Sequence, residues 1–153
     1  MKILLAVDGS VFSDAAVAEV GARPWPPDTE IKVICVFEVP LPPTPEAWTL
    51  PPDYFQELNN TMRDSARTTV GVALSTLKKN LGDSVELSGL FVQGSPRNAI
   101  LEEAQSWGAD LIVVGSHGYR AWERFLLGSV SQAVVTHAPC SVEVVRSRKP
   151  RRE

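Results

Sequence analysis

The chain has little from which to build a covalent or metal-based site. It holds two cysteines, Cys35 and Cys140, and two histidines, His117 and His137, among 153 residues. Two isolated cysteines supply neither a disulfide framework nor a zinc site. Each lies in or beside an apolar stretch, so both are expected as buried free thiols, as suits a reducing compartment. No apolar run approaches the roughly 20 residues that a bilayer-spanning helix needs. Ile3 to Val7 follow one lysine, but they are too short for a signal-peptide core and no small-residue cleavage site follows. The expected location is therefore the cytoplasm, with no membrane partner. No G-x4-G-K-[ST] segment occurs, which excludes a P-loop NTPase. No Ser-His-Asp set or pair of carboxylates stands out.

Charge is unevenly spread. The chain carries a net −3, yet Arg146 to Glu153 hold five basic residues against one acidic, which leaves the body at about −7. An acidic body argues against nucleic acid as a partner. The basic end, residues 147–153, reads as a solvated tail, the alternative being a contact with RNA, DNA or an acidic protein. The hydrophobic share of 44% and charged share of 22% are those of an ordinary globular protein, and the length fits one domain over residues 1–146.

Strand-like and helix-like stretches alternate along the chain. Lys2 to Val7 reads as a buried strand that Asp8-Gly9-Ser10 breaks. Phe12, Ala16 and Val20 recur at helical spacing, and Gly21 with Pro24-Trp25-Pro26-Pro27 ends that helix. Glu30 to Phe37 is a second strand. Residues 39–53 hold six of the twelve prolines and form a loop around Trp48. Tyr54 to Leu81 shows one apolar face, with Gly82 as its stop. Ser84 to Gln93 is a third strand, Ser95 and Pro96 open a third helix, and Gly108 closes it. Asp110 to Val114 and Ser141 to Arg146 are the fourth and fifth strands, with a helix from Ser129 between them. Strands alternating with helices require crossover connections, hence a parallel sheet covered on both faces.

The chemically informative stretch is Gly115-Ser116-His117-Gly118, followed by Gly128-Ser129. It leaves the apolar strand Leu111-Ile112-Val113-Val114 and feeds a helix. Glycine permits positive φ and puts no Cβ in the way, so a phosphate can approach the main chain. The first N–H groups of the next helix lack intrahelical partners and attract anions. A phosphorylated ligand is the expectation.

The G-x2-G-x9-G-S spacing of Gly115, Gly118, Gly128 and Ser129 resembles the universal stress protein family, in its nucleotide-binding branch. Ala138-Pro139-Cys140-Ser141-Val142, the opening Ile3 to Ser10 and the Gly94-Ser95-Pro96 junction are similar to that family too. The resemblance covers essentially the whole chain. It implies an adenine nucleotide alpha hydrolase-like fold, a single doubly wound domain with a five-stranded parallel sheet in order 3-2-1-4-5. It further implies ATP, with Mg2+, as ligand and a homodimer. In such a sheet the ligand lies where strand order reverses, beyond the ends of the first and fourth strands.

Candidate contacts follow. Asp8 is placed to meet a ribose or a metal; the alternative is an Asx-turn. Gly115, Ser116, His117 and Gly118 offer main chain to phosphates, and His117 is expected to act chiefly through its backbone. Gly128, Ser129, Val130 and Ser131 open the helix that receives them, with simple capping as the other reading of Gly128 and Ser129. Ser131 either adds a hydroxyl or is a solvated helix residue. The resemblance puts Val36 where main-chain atoms face the adenine, with Val7 and Val114 walling the base or sugar. Arg120 and Arg124 either pair with phosphate or are surface charges, and Trp122 and Phe125 are lid packing. These are parts for holding a nucleotide, with few for cleaving it. The function expected is an ATP-binding stress-response regulator with at most slow hydrolysis. The alternatives are a nucleotide-using enzyme on a related fold, or a dimeric interaction module with a vestigial pocket. The fifth strand, as an outer strand, is the expected subunit contact.

Overall fold

A computed structural model describes residues 1–40, 51–118 and 127–147. Nine elements alternate along it: β1 (Lys2–Ala6), α1 (Val11–Gly21), β2 (Glu30–Phe37), α2 (Pro52–Leu81), β3 (Glu86–Gln93), α3 (Pro96–Trp107), β4 (Leu111–Gly115), α4 (Ser129–His137) and β5 (Ser141–Val145). The strands form one parallel sheet in order β3-β2-β1-β4-β5. This is the architecture expected from the alternation and the resemblance. Most of the proline-rich stretch, the Arg120 to Phe125 candidates and most of the basic tail lie outside the described residues.

The apolar strands read as continuous runs because both faces are covered. Side chains alternate across the sheet. Ile3, Leu5, Ile31, Val33 and Val113 point toward α1 and α2, where Ala16, Val20, Val70 and Leu77 meet them. Leu4, Ile34, Ile112 and Val114 point the other way, toward Ile100 and Ala104 of α3 and Val134 of α4. Each fully buried aliphatic side chain contributes about 1.5–3 kcal/mol.

Small residues set how closely the layers approach. Gly21 is the last residue of α1, where the helix was expected to end. A Cβ there would lie 2.9 Å from Asn80 Nδ2, so its smallness lets α2 pack against α1. Gly108 does end α3 as expected, in the left-handed conformation at φ 71° and ψ 49°.

The chain starts in the middle of the sheet. β1 leads to β2 and then β3 on one side, after which β4 and β5 build the other. β1 pairs with β4 only through Ile3–Leu111, Leu4–Ile112 and Leu5–Val113. β4 then continues beside β5 as far as Gly115–Val145, while Val7 stays with β2 through a 2.9 Å bond from its N–H to the Ile34 carbonyl. A crevice opens where β1 and β4 part.

At the outer edge, Arg23 reaches from the loop after α1 to β5. Its Nη1 and Nη2 donate to Glu143 Oε2 and Oε1 at 2.7 and 2.6 Å, and Nη2 also meets Glu19 at 2.7 Å. Glu143 first and Glu19 second hold the guanidinium firmly in its charged form. Both carboxylate oxygens of Glu143 are thus engaged within its own chain.

Candidate functional site

The crevice between β1 and β4 is the floor of a cleft of about 110 Å³. That is several times the roughly 10–15 Å³ needed for one water, so it is room for part of a ligand. Its inner wall is apolar, from Ala6, Val7, Ile34, Val36, Ile100 and Val114. Its rim is polar and glycine-rich, from Asp8, Gly115, His117, Gly118 and Ser131, with Val130 beside them. A flat apolar group fits the first part and an anion the second.

The glycines work differently from the expectation. None of Gly115, Gly118 and Gly128 has a positive φ. Gly115 is needed for packing: a Cβ there would lie 2.7 Å from the carbonyl carbon of Phe12 and 2.8 Å from its oxygen. Its absence lets the start of α1 lie against the end of β4. A Cβ on Gly118 would come 3.1 Å from Asp8 Oδ2, at the mouth of the cleft. A Cβ on Gly128 would lie 3.2 Å from His117 Cα.

The helix start also differs. Ser129 is not the cap of α4; Gly128 is, and having no side chain it caps none of the first-turn N–H groups behind it. Gly128 uses its own N–H on the Ser116 carbonyl at 2.8 Å, and its carbonyl accepts from Gln132 at 2.9 Å. Val130 and Ser131 therefore bring uncapped first-turn backbone to the cleft wall. Contrast α1, where Ser10 Oγ accepts from Ser13 N–H at 3.2 Å. A helix end that lacks a capping side chain and faces a cleft is a place for an anion.

Ser131 is buried, not solvated. Its hydroxyl donates to the Gly115 carbonyl at 2.6 Å, which fixes α4 to the end of β4. Ser116 is buried behind the cleft, donating its N–H to the Val145 carbonyl at 2.8 Å. His117 lies with its ring 5.1 Å from that of Phe12 and Nδ1 3.1 Å from Ser116 Oγ. Asp8 is exposed, and its Oδ1 accepts from Ser10 N–H at 2.9 Å. It therefore does make an Asx-turn, while Oδ2 lies toward Gly118. Val7 and Val114 are buried and Val36 is half-buried, all in the apolar wall. Ser129 is exposed at the start of α4 and, with Ser116 and Gly128, is not in the cleft wall. Arg124 lies outside the described residues. His137 is remote from the cleft wall, with Nδ1 3.0 Å from the Ala133 carbonyl.

Five wall residues escaped the sequence reading as site residues: Ala6, Ser13, Ile34, Pro96 and Ile100. Pro96 and Ile100 were legible only as a helix start and a buried helix face. Their place in the cleft depends on how α3 crosses the sheet. Behind the wall, burial pushes the Cys35 thiol up to about 11, with Asp8 adding to the effect. Cys140 is raised too, again chiefly by burial. Neither is a nucleophile poised for chemistry. Among the described residues no cluster of three or more His, Cys, Asp or Glu side chains is placed to hold a metal ion, and no helix is long and apolar enough to cross a membrane.

The strand order, the switch point and the cleft above it define a doubly wound α/β protein of the adenine nucleotide alpha hydrolase-like fold. The chain belongs to the universal stress protein family, whose model matches residues 1–146. It is 34% identical over 144 residues to a universal stress protein of Thermus aquaticus, covering 94% of this chain and 97% of that one. Among solved structures it resembles the hypothetical protein MJ0577 at a TM-score of 0.78, with 27% identity and 97% of each chain covered. It shares its fold with a universal stress protein family protein from Arabidopsis thaliana solved with AMP bound, at a TM-score of 0.60 and 20% identity, covering 99% of this chain and 97% of that one.

Proposed function

We propose that this protein binds ATP in the β1–β4 cleft and serves as a cytoplasmic nucleotide-responsive stress regulator with at most slow hydrolysis. The uncapped start of α4 beside Gly115 and Gly118 is the observation that carries the reading. The base lies in the apolar wall of Val7, Val36 and Val114, the ribose near Asp8, and the phosphates against Gly115 to Gly118 and Gly128 to Ser131. Arg124, a candidate from the sequence, lies outside the described residues. A fold relative solved with AMP bound supports an adenine nucleotide as the ligand class. Asp8 is the acid in the described wall, and Mg2+ is commonly held by one or two carboxylates together with substrate phosphates. Mg2+ therefore fits here as a companion of the phosphates, held chiefly by them. The Ser131 hydroxyl is already engaged as a donor to the Gly115 carbonyl, which supports holding over cleavage.

The reading includes a homodimer through β5. Among the described residues nothing pairs its outer edge, and an unpaired edge is a template for a second copy. Native mass spectrometry of the freshly purified protein tests both parts. Expected is a dimer carrying adenine nucleotide. A protein that retains none, and takes up none from added Mg-ATP, refutes the ligand assignment; a monomer at tens of micromolar, an order-of-magnitude range for modest affinity, refutes the dimer. Val144→Pro, which removes a strand donor, should shift sedimentation toward monomer.

A further inference from the structure

Glu143 is the middle residue of the edge strand β5. Val142 and Val144 pack toward α4 and Val145 toward α1, so Glu143 lies on the α1 side of the sheet. A charge within an edge strand normally guards against pairing with another chain. Here both carboxylate oxygens are taken by one guanidinium, in the bidentate geometry that makes arginine a specific partner for carboxylate. Arg23 is itself positioned. Glu19 holds its Nε and Nη2 at 3.2 and 2.7 Å. The Trp25 ring lies 5.9 Å from its guanidinium carbon, and Trp25 is tied by Nε1 to the Val20 carbonyl at 2.9 Å.

A two-fold axis makes two β5 strands antiparallel. Full overlap of a strand running from Ser141 to Val145 then sets Ser141 against Val145 and Val142 against Val144. It sets Glu143 against the partner's Glu143. Residues directly opposite lie about 5 Å apart at Cβ, and like charges there are destabilising. We infer that Arg23 permits β5 to self-pair, by neutralising the Glu143 carboxylate that would otherwise repel its counterpart across the two-fold axis. The occupant of this edge is a second copy of the chain, in the full-overlap register. The inference rests on the dimer reading above and adds to it the residue that controls the contact.

Sedimentation of four proteins tests this: wild type, Arg23→Gln, Glu143→Gln and the double variant, with circular dichroism as a check on folding. Arg23→Gln should raise the dimer dissociation constant roughly tenfold, given that juxtaposed like charges cost an interface substantially. High salt should recover much of that loss, because exposed charges are screened. Glu143→Gln should dimerise at least as well as wild type, and the double variant should return to it. That rescue separates charge neutralisation from a merely structural role for Arg23, which removal of Glu143 would not repair. A wild-type dimer that Arg23→Gln leaves unchanged, or a double variant as weak as Arg23→Gln alone, overturns the inference and leaves the dimer standing. A monomeric wild type overturns both.

Discussion

The N–H of Gly128 donates to the carbonyl of Ser116 at 2.8 Å. This bond holds the start of α4 beside the end of β4. Ser116 in turn donates to Val145 of β5 at 2.8 Å. Two main-chain bonds through one buried residue thus join the wall of the cleft to the outer strand. The Ser131 hydroxyl on Gly115 adds a third tie.

Gly118 is the glycine whose substitution should affect binding before folding. Among the described residues, a Cβ there meets only Asp8 Oδ2, the tip of an exposed side chain. Gly118→Val should keep its circular dichroism spectrum and lose ATP affinity by at least tenfold, which corresponds to about 1.4 kcal/mol. Calorimetric titration reads this. An affinity equal to wild type would remove the 115–118 segment from the phosphate site.

Gly115 and Ser131 should behave in the opposite order. Gly115→Ala drives a methyl into the backbone of Phe12 and Ser13, and overpacking of this kind costs about 1–3 kcal/mol. Ser131→Ala removes a short buried hydrogen bond, a loss of about 1–3 kcal/mol when the carbonyl is left unpaired. Urea unfolding should show both losses without any ligand present. Two variants as stable as wild type would mean that the α1–β4–α4 junction is looser than its geometry indicates.

Turnover should be slow. With the Ser131 hydroxyl committed to Gly115, phosphate release from saturating Mg-ATP should fall well below the enzyme median of about 10 per second. A rate near that median would promote the enzyme alternative and demote the regulator.

Cys35 makes stability depend on alkaline pH. Its folded pKa is raised from 9.0 to about 11, so the folded state holds a proton that the unfolded state releases. This contribution is fully present below about pH 9, and it is lost as pH rises from there through 11. The loss is on the order of 2–3 kcal/mol at most, at about 1.4 kcal/mol per pH unit. The pH profile of unfolding should therefore be steeper between pH 9 and 11 for wild type than for Cys35→Ala. Parallel profiles would show that the thiol ionises freely in the folded protein.

The sheet was legible because its signals are local. Buried parallel strands such as Leu111 to Val114 are continuous apolar runs, and Ser95-Pro96 and Gly108 mark helix ends by backbone chemistry alone. Strand order was not local; it came from the resemblance. The glycine-rich turn was legible as a place, but its physics was not. Gly115 is small because Phe12 passes behind it, and Gly21 is small because Asn80 does. Both reasons are contacts between residues far apart in the chain. Ser131 was ambiguous for the same reason, since its partner is the carbonyl of Gly115. Pro96 and Ile100 carried only helix signals, and their approach to the cleft follows from the crossover of α3.

The central claim is that an adenine nucleotide binds where β1 and β4 part, with its phosphates on the start of α4. Backbone amide NMR during titration with Mg-ATP tests it most directly. The largest shifts should fall on Val7, Asp8, Val36, Gly115 to Gly118 and Ser129 to Ser131, with little change at Asp28 to Glu30 and Ser84 to Glu86 at the opposite end of the sheet. Shifts confined to that opposite end, or none at saturating nucleotide, would contradict the account.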